Sequence, residues 1–217
     1  LAESLGERQT HATRGEDVEE AIDRANERFA KQGSRLSEDQ IEALRHITKA
    51  DQLSCIIGYA GAGKSTTFKA AKEVWEASGY RVYGLAPTGR AAQNLEEIGV
   101  VSTTLHEFLK AYSEGRSQYR KKSVLVLDEA GMVDVRRFND LLSAVDHLGV
   151  KLVISGDGAQ SQPIEAGPGF RLVTNRLDVR KIETIVRQNV AWQKEATRLF
   201  GTYQTREALG MYLDRGH

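Results

Sequence analysis

The chain has 217 residues, of which 40% are apolar and 28% are charged. That composition is typical of a globular protein and excludes an intrinsically disordered one, and the length allows one large core or two small domains. The 30 basic residues balance the 30 acidic ones, so the chain has no overall basic field, and any affinity for nucleic acid needs a local groove.

Membrane and secreted proteins are disfavoured by the same sequence. No apolar stretch approaches the ~20 residues that a membrane helix needs, and residues 1–11 lack a signal-peptide core. The single cysteine, Cys55, excludes an internal disulfide, agrees with a reducing cytosol, and is predicted to be buried because its neighbours are apolar. We expect a cytoplasmic protein and, because the sequence does not begin with methionine, a piece of a longer chain.

The beginning of the chain is predicted to hold a linker and two helices. Residues 1–15 are polar and unpatterned, as in a frayed end or a linker. Apolar residues then recur at helical spacing over 16–31, which predicts an amphipathic helix. A second helix is predicted to begin at Ser37, because Gln40 three residues later completes a capping-box pattern.

Strands and helices alternate in the rest of the chain. Strands are predicted at 53–57, 81–86, 123–127 and 151–155, and helices at 64–78, after Gly89, at 135–147 and after Ala166. The runs at 123–127 and 151–155 are continuously apolar or β-branched, which is typical of strands buried on both faces. The alternation predicts an α/β fold with a mostly parallel sheet and helices on both faces.

A glycine-rich turn after the first predicted strand indicates a phosphate site. The sequence GYAGAGKS at 58–65 fits the P-loop pattern G-x-x-x-x-G-K-[ST]. Its glycines let successive backbone N–H groups face phosphate oxygens at the start of a helix. Lys64 is predicted to reach the β- and γ-phosphates, and the Ser65 hydroxyl to ligate Mg²⁺. The predicted ATP-binding residues of this loop are Gly58, Ala60, Gly61, Ala62, Gly63, Lys64, Ser65 and Thr66.

Polar residues after the two buried strands complete a predicted hydrolytic site. Asp128 directly follows the strand at 123–127, where a carboxylate is placed to hold Mg²⁺. Glu129 beside it can polarise an attacking water, as a hydrolase needs. Gln160 follows the strand at 151–155 and is a candidate to hydrogen-bond both the γ-phosphate and that water.

The order of these motifs resembles that of superfamily 1 DNA helicases of the RecD-like branch. The P-loop is followed by DEAGM at 128–132 and GDGAQ at 156–160. The phrases GYAGAGKST, WEASGYRV and REALGMYLDRGH are most similar to the helicase region of Ti-type conjugative relaxases, which are bacterial. The resemblance runs from about Leu36 to the last residue. It implies a RecA-like P-loop fold, ATP and Mg²⁺ as cofactors, and unwinding of or translocation on single-stranded DNA.

The resemblance also implies roles for individual residues. Gln40 matches the adenine-reading glutamine of the family, and Arg187 matches an arginine that reaches the γ-phosphate. APTGRAA at 86–92 and the Thr-Leu-His sequence at 104–106 resemble motifs that grip DNA. Contacts with single-stranded DNA are therefore expected at Pro87, Thr88, Gly89, Thr104 and His106. The candidate catalytic residues are Lys64, Glu129, Gln160 and Arg187.

Three regions are predicted on this basis. They are a linker and amphipathic helix at 1–34, a RecA-like ATP-binding domain at 35–182, and a helical segment at 183–217. Helicases of this class need a second RecA-like domain, and no further helicase motif follows Gln188. We therefore expect that domain, and a relaxase nuclease domain, to be partners elsewhere in the same polypeptide. The isolated chain is expected to bind Mg-ATP and to hydrolyse it weakly.

Two other functions fit the P-loop alone. One is a self-contained nucleotide kinase, and the other is a non-catalytic module whose docking is regulated by nucleotide. A motor requires the strand at 151–155 to lie between the P-loop strand and the strand at 123–127, because that order brings Gln160 beside the γ-phosphate. We predict that strand order.

Overall fold

The computed structural model describes residues 1–31, 35–59, 61–157, 169–184 and 204–213, together with positions 192, 195, 196, 199 and 200. Its helices are α1 (Ala2–Glu7), α2 (Gly15–Ala30), α3 (Glu38–Ile47), α4 (Lys64–Ala77), α5 (Gly89–Glu96), α6 (Leu105–Ser113), α7 (Val135–Leu148), α8 (Gly169–Thr174) and α9 (Thr205–Leu213). Its strands are β1 (Leu53–Gly58), β2 (Arg81–Ala86), β3 (Val101–Thr104), β4 (Ser123–Leu127), β5 (Lys151–Gly156) and β6 (Val179–Ile182), and a short 3-10 helix covers Ala130–Met132. Within these ranges, no helix has the length and apolarity that crossing a membrane requires.

The six strands form one sheet in the order β3-β2-β4-β5-β1-β6, and every neighbouring pair is parallel. β5 therefore lies between β1 and β4, as predicted. All residues of β4 and β5 are buried, which agrees with the interpretation of their apolar runs as central strands. The predicted α/β fold with a parallel sheet is confirmed.

Helices cover both faces of the sheet. Alternate residues of a strand point to opposite faces, so apolar residues of one strand contribute to both cores. Val124 and Val126 of β4 pack into a core with α2, α3 and α4, in which Trp75 is fully buried. Leu125 and Leu127 of the same strand pack into a second core with α6, α7 and α8. The prediction of helices on both faces is confirmed, and so is the buried position of Cys55 in the second core.

The start of the chain corrects one expectation, since residues 1–15 are not the frayed end or linker that their sequence indicates. The chain forms α1 there, and the side chain of Leu5 is fully buried in the second core. Arg8 then makes an ion pair with Asp146, and Gln9 forms an isolated bridge with Asp51. A single apolar side chain creates no periodic pattern, so a helix anchored by distant partners has no local signal in the sequence.

The sequence patterns also do not predict the edge strands β3 and β6, or the helix α6 that follows β3. β3 has the polar sequence VSTT, and Val101 is 70% exposed. β6 is equally short, with the sequence VRKI. Half-covered edge strands lack the continuous apolar run that reveals a central strand.

A buried lysine lies at the amino-terminal end of β5. Lys151 is fully buried, and its Nζ donates to the carbonyl oxygens of Lys49 (2.9 Å) and Asp51 and to Ser54 Oγ (3.3 Å). Burial lowers the pKa of Lys151 to about 7, although the charge of Asp51 acts in the opposite direction. This lysine therefore links the stability of the sheet to pH.

We expect the free energy of unfolding to rise between about pH 7 and about pH 8.5 because of Lys151. In this window the unfolded chain keeps the lysine proton while the folded chain releases it, so raising the pH favours the folded state, and the gain is lost as pH falls through about 7. Urea unfolding at the two pH values measures the difference.

The Lys151→Met variant is the control for that measurement, because it cannot titrate. It should show a smaller pH dependence over the same window; an unchanged dependence would show that another group is responsible. The control is needed because other buried groups also contribute to the pH dependence: burial lowers the pKa of His11 to about 4 and raises that of Cys55 above its usual value.

Candidate nucleotide-binding site

The P-loop joins the carboxyl end of β1 to the amino end of α4. Gly61 (φ 84°) and Gly63 (φ 80°) have left-handed backbones, which residues with a side chain adopt at a cost. Between them Ala62 is fully buried, and its N–H donates to the carbonyl of Tyr59 at 3.1 Å. The loop therefore turns tightly and begins α4 at Lys64 with a glycine as the residue before the helix. Such a turn directs backbone N–H groups of the first helical turn outward, where they can bind an anion.

Lys64 folds back over the start of the loop. Its Nζ donates to the carbonyl oxygen of Gly58 at 2.6 Å. The absence of a side chain at Gly58 makes room for this arrangement, because a Cβ there would lie 3.1 Å from Lys64 Cγ and 3.3 Å from the carbonyl oxygen of Ile182. The Lys64 ammonium group therefore lies against the loop that is predicted to bind the phosphates.

Asp128 supplies an unpaired oxygen at the end of β4. Its backbone N–H donates to the carbonyl of Leu85 at 3.0 Å, which fixes the residue at the end of the sheet. Its Oδ1 is buried and has no hydrogen-bond partner among the residues that the structure describes. A buried carboxylate oxygen without a partner is costly unless a cation or a water satisfies it. This oxygen and the hydroxyl of Ser65, at the start of α4, are the hard oxygen ligands that Mg²⁺ prefers, so the residues fit the predicted ion.

Glu129 has a strained backbone. With φ 53° and ψ 35° it is the one residue other than glycine, within the described ranges, that has a positive φ. The next residues form the short 3-10 helix, and the N–H of Met132 donates to the Glu129 carbonyl at 3.0 Å. A left-handed conformation at a residue with a side chain costs of order 1–3 kcal/mol and is concentrated at functional sites. Glu129 is half-buried and directly follows Asp128 in the chain.

Gln40 contacts the P-loop through its side-chain amide. Its side chain is buried, with Nε2 donating to the carbonyls of Ala62 (3.2 Å) and Gly63 (3.5 Å). Its Oε1 accepts from the N–H of Ser37 at 3.0 Å, which forms the predicted capping box. The amide therefore braces the P-loop in this structure, and its role in reading adenine stays a prediction.

The candidate DNA-contact residues lie at the same edge of the sheet. Thr88 accepts from the N–H of Ala91 at 3.2 Å and caps α5, while Thr104 caps α6 through a reciprocal capping box with Glu107. Both helices begin at the carboxyl ends of β2 and β3, which are neighbouring parallel strands. Pro87 is half-buried, and Thr88, Gly89 and His106 are exposed.

Three predicted residues lie outside the described ranges: Ala60, Gln160 and Arg187. Their roles stay predictions. One residue that the sequence analysis did not single out is Asp39, which neighbours Gln40 in the first turn of α3 and accepts hydrogen bonds from the end of β6. Its only sequence signal is a second acidic residue before the motif glutamine, in LSEDQ.

These features define a P-loop nucleotide-binding domain, and comparison with known proteins identifies its family. A family model described as an AAA domain matches residues 35–217. A protein named "Probable conjugal transfer protein TraA" from Sinorhizobium fredii (strain NBRC 101917 / NGR234) is 43% identical over 194 residues, which cover 89% of this chain and 17% of that protein. The "ATP-dependent RecD2 DNA helicase" of Deinococcus radiodurans is 30% identical over 158 residues, covering 70% of this chain and 22% of that protein. The crystal structure of Bacteroides sp Pif1 in complex with ADP-AlF4 aligns with a TM-score of 0.54 and 21% identity over 82% of this chain and 49% of that one.

The chain belongs to the family that this model describes as an AAA domain. Its similarity to TraA confirms the resemblance to conjugative transfer proteins that the sequence phrases indicate. The likeness to Pif1 shows the fold alone at this level of identity. The chain spans under a fifth of the TraA protein, at 17% of its length.

We expect Gly58→Ala to weaken Mg-ATP binding while leaving the fold intact. The added methyl would press on Lys64 and on the carbonyl of Ile182, and overpacking of this kind costs about 1–3 kcal/mol. A cost of ~1.4 kcal/mol corresponds to a tenfold rise in Kd, which calorimetry or a fluorescent ATP analogue can measure. The matched control is Gly15→Ala, where an added Cβ meets nothing within 4 Å. Equal Kd values for the two variants would show that the close packing of Lys64 against Gly58 does not contribute to nucleotide binding.

Proposed function

We propose that this chain is the ATP-binding motor domain of a DNA helicase or translocase that acts on single-stranded DNA in conjugative transfer. The observation that carries the proposal is the pairing of a left-handed glycine P-loop with an unpaired, buried oxygen of Asp128. The position of β5 between β1 and β4 supports a motor over a nucleotide kinase. The similarity to TraA supports the conjugative role.

The chemistry proposed for the site is hydrolysis of ATP. The P-loop N–H groups and Lys64 would hold the phosphates, and Ser65 and Asp128 would hold Mg²⁺, which neutralises charge on the phosphate oxygens when bound. Glu129, fixed by its strained turn, would orient and polarise the attacking water. The residues Gln160 and Arg187 are assigned to the γ-phosphate by resemblance alone.

Turnover by this chain on its own is expected to be slow. In related phosphoryl-transfer systems an arginine supplied by a facing domain raises the rate by ~10³–10⁵. The proposal assigns that contribution to a second RecA-like domain of the same polypeptide. Rapid, DNA-stimulated hydrolysis by the 217 residues would contradict this division of roles.

Two variants separate binding from hydrolysis. Lys64→Ala should abolish binding of Mg-ATP, because it removes the cation that reaches the phosphates. Glu129→Gln should leave the Kd for Mg-ATP nearly unchanged and abolish hydrolysis in the longest native polypeptide that contains this chain. Nucleotide affinity and phosphate release are the measurements. Unchanged affinity in Lys64→Ala would mean that the phosphate site is wrong, and full hydrolysis in Glu129→Gln would exclude the proposed base.

The proposed DNA contacts rest on two helix amino termini. α5 and α6 begin side by side at the carboxyl edge of the sheet, and Gly89, the first residue of α5, is exposed. The positive end of a helix dipole attracts phosphate, and a backbone N–H can bind it regardless of base. This arrangement suits a strand that slides, and it needs no excess of basic residues.

We expect Gly89→Pro to weaken binding of single-stranded DNA by roughly threefold to tenfold, the value of one hydrogen bond. Proline is tolerated at the first position of a helix and removes one N–H donor there. Thr88 already has the extended backbone that a residue before proline requires. Fluorescence anisotropy with an oligo-dT strand measures the change.

Gly15→Pro is the control for that prediction, because Gly15 is the first residue of α2 and an added Cβ there also meets nothing. It should bind DNA as well as the unmodified chain does. Equal losses in the two variants would indicate a general effect of proline, and no loss in Gly89→Pro would remove α5 from the DNA site.

A further inference from the structure

The carboxylate of Asp39 joins two parts of the chain that are far apart in sequence. Its Oδ2 accepts hydrogen bonds from the backbone N–H groups of Glu183 (2.7 Å) and Thr184 (2.8 Å), directly after β6. Its Oδ1 accepts from Ser37 Oγ and from the N–H of Gln40 (3.0 Å). One side chain therefore ties the end of β6 to the first turn of α3.

These hydrogen bonds favour the ionised form of the carboxylate. Burial acts to raise the pKa of Asp39, but the hydrogen bonds from Ser37 and from the N–H groups of Thr184 and Glu183 hold it below its usual value. Hydrogen bonds to a charged acceptor are roughly twice as strong as those between neutral groups. An amide in place of the carboxylate would keep only one accepting oxygen and would turn a donor toward the remaining N–H groups.

The same helical turn also contacts the P-loop. Gln40, the next residue, donates to the carbonyls of Ala62 and Gly63. The end of β6 approaches the loop as well, since the carbonyl of Ile182 lies 3.3 Å from the position that a Cβ on Gly58 would occupy. The first turn of α3 is thus in contact with the phosphate loop on one side and with the end of β6 on the other.

We propose that Asp39 is a positioning residue that fixes the chain leaving β6 relative to the P-loop, and that ATP hydrolysis depends on it more than ATP binding does. The inference rests on the proposed function, because only a hydrolase needs this alignment. Arg187, the predicted γ-phosphate arginine, follows Thr184 by three positions in the sequence. The hydrogen bonds of Asp39 to Glu183 and Thr184, which form the tether, therefore limit the position from which the chain continues toward Arg187.

Binding and turnover should respond differently to loss of the tether. The P-loop holds the phosphates through its own backbone and Lys64, so binding does not require β6 to end in one place. A group that acts in the transition state must be placed closely, and a displacement of about 1 Å can cost ~10²-fold in rate. Loss of the Asp39 hydrogen bonds is therefore expected to lower kcat more than it changes Kd.

The test is Asp39→Asn in the longest native polypeptide that contains this chain, with single-stranded DNA present. We expect kcat to fall on the order of tenfold to a hundredfold while the Kd for a fluorescent ATP analogue changes by less than about threefold. Hydrogen exchange at the amides of Glu183 and Thr184 should become faster, because they lose a charged acceptor. Equal effects on kcat and Kd, or unchanged kcat, would overturn the proposal.

Glu38→Gln is the matched control. Glu38 is exposed in the same helical turn and carries the same charge, so the variant removes a carboxylate without removing the tether. It should leave kcat, Kd and exchange unchanged; a loss of kcat equal to that of Asp39→Asn would assign the effect to the helix-end charge and refute the inference.

A second variant changes a donor of the same tether instead of its acceptor. Thr184→Pro removes the N–H and the hydroxyl whose hydrogen bonds Asp39 accepts, and it should also lower kcat more than it raises Kd. A pattern of loss that differs from that of Asp39→Asn would count against the tether. Failure of the proposed function has a different signature, because Lys64→Ala would then leave nucleotide binding and hydrolysis unchanged.

Discussion

Parallel pairing of every described strand is the constraint on which the rest of the molecule depends. In a parallel sheet all carboxyl ends lie at one edge, so the loops that follow the strands meet there. The strand register sets how far each strand extends toward that edge: Leu127 at the end of β4 pairs with Ile154 of β5, and Ile57 near the end of β1 pairs with Gly156. The P-loop, Asp128 and the caps of α5 and α6 are brought to one edge by this geometry.

The two ends of the sheet deal with polar groups in opposite ways. At the amino end, Lys151 is buried and its Nζ donates hydrogen bonds to three oxygen atoms, so the polar group there is satisfied within the protein. At the carboxyl end, the Oδ1 of Asp128 has no hydrogen-bond partner within the described part of the chain, and Glu129 has a strained backbone. Unsatisfied and strained groups lower stability, so their presence at one edge agrees with a binding role there.

The sequence predicts the centre of this fold better than its edges. β4 and β5 are buried on both faces, and their continuous apolar runs identify them without any knowledge of their partners. α1, β3 and β6 escape prediction because each depends on contacts with distant residues and has no periodic pattern of its own. The P-loop can also be predicted from the sequence, because its glycines meet a local requirement of the backbone. The role of Asp39 cannot be predicted in this way, because it accepts hydrogen bonds from N–H groups that lie 144 and 145 positions away.

The helices α4, α5 and α6 begin at the carboxyl edge, and they differ in the residue that precedes the first turn. α4 is preceded by Gly63, which has no side chain to compete for the N–H groups of the first turn. α5 and α6 are preceded by Thr88 and Thr104, whose hydroxyls already accept one N–H each. In α4 the N–H of Thr66 donates instead to the backbone carbonyl of Gly63 at 3.0 Å, and because Gly63 has no side chain, a phosphate can approach the other N–H groups of that turn. In the proposed function, the remaining N–H groups at the starts of α5 and α6 would make base-independent contacts with DNA phosphates beside the threonine hydroxyls. The choice of glycine or threonine before a helix thus decides whether a side chain lies at its first turn, which is the local difference between the P-loop and the proposed DNA contacts.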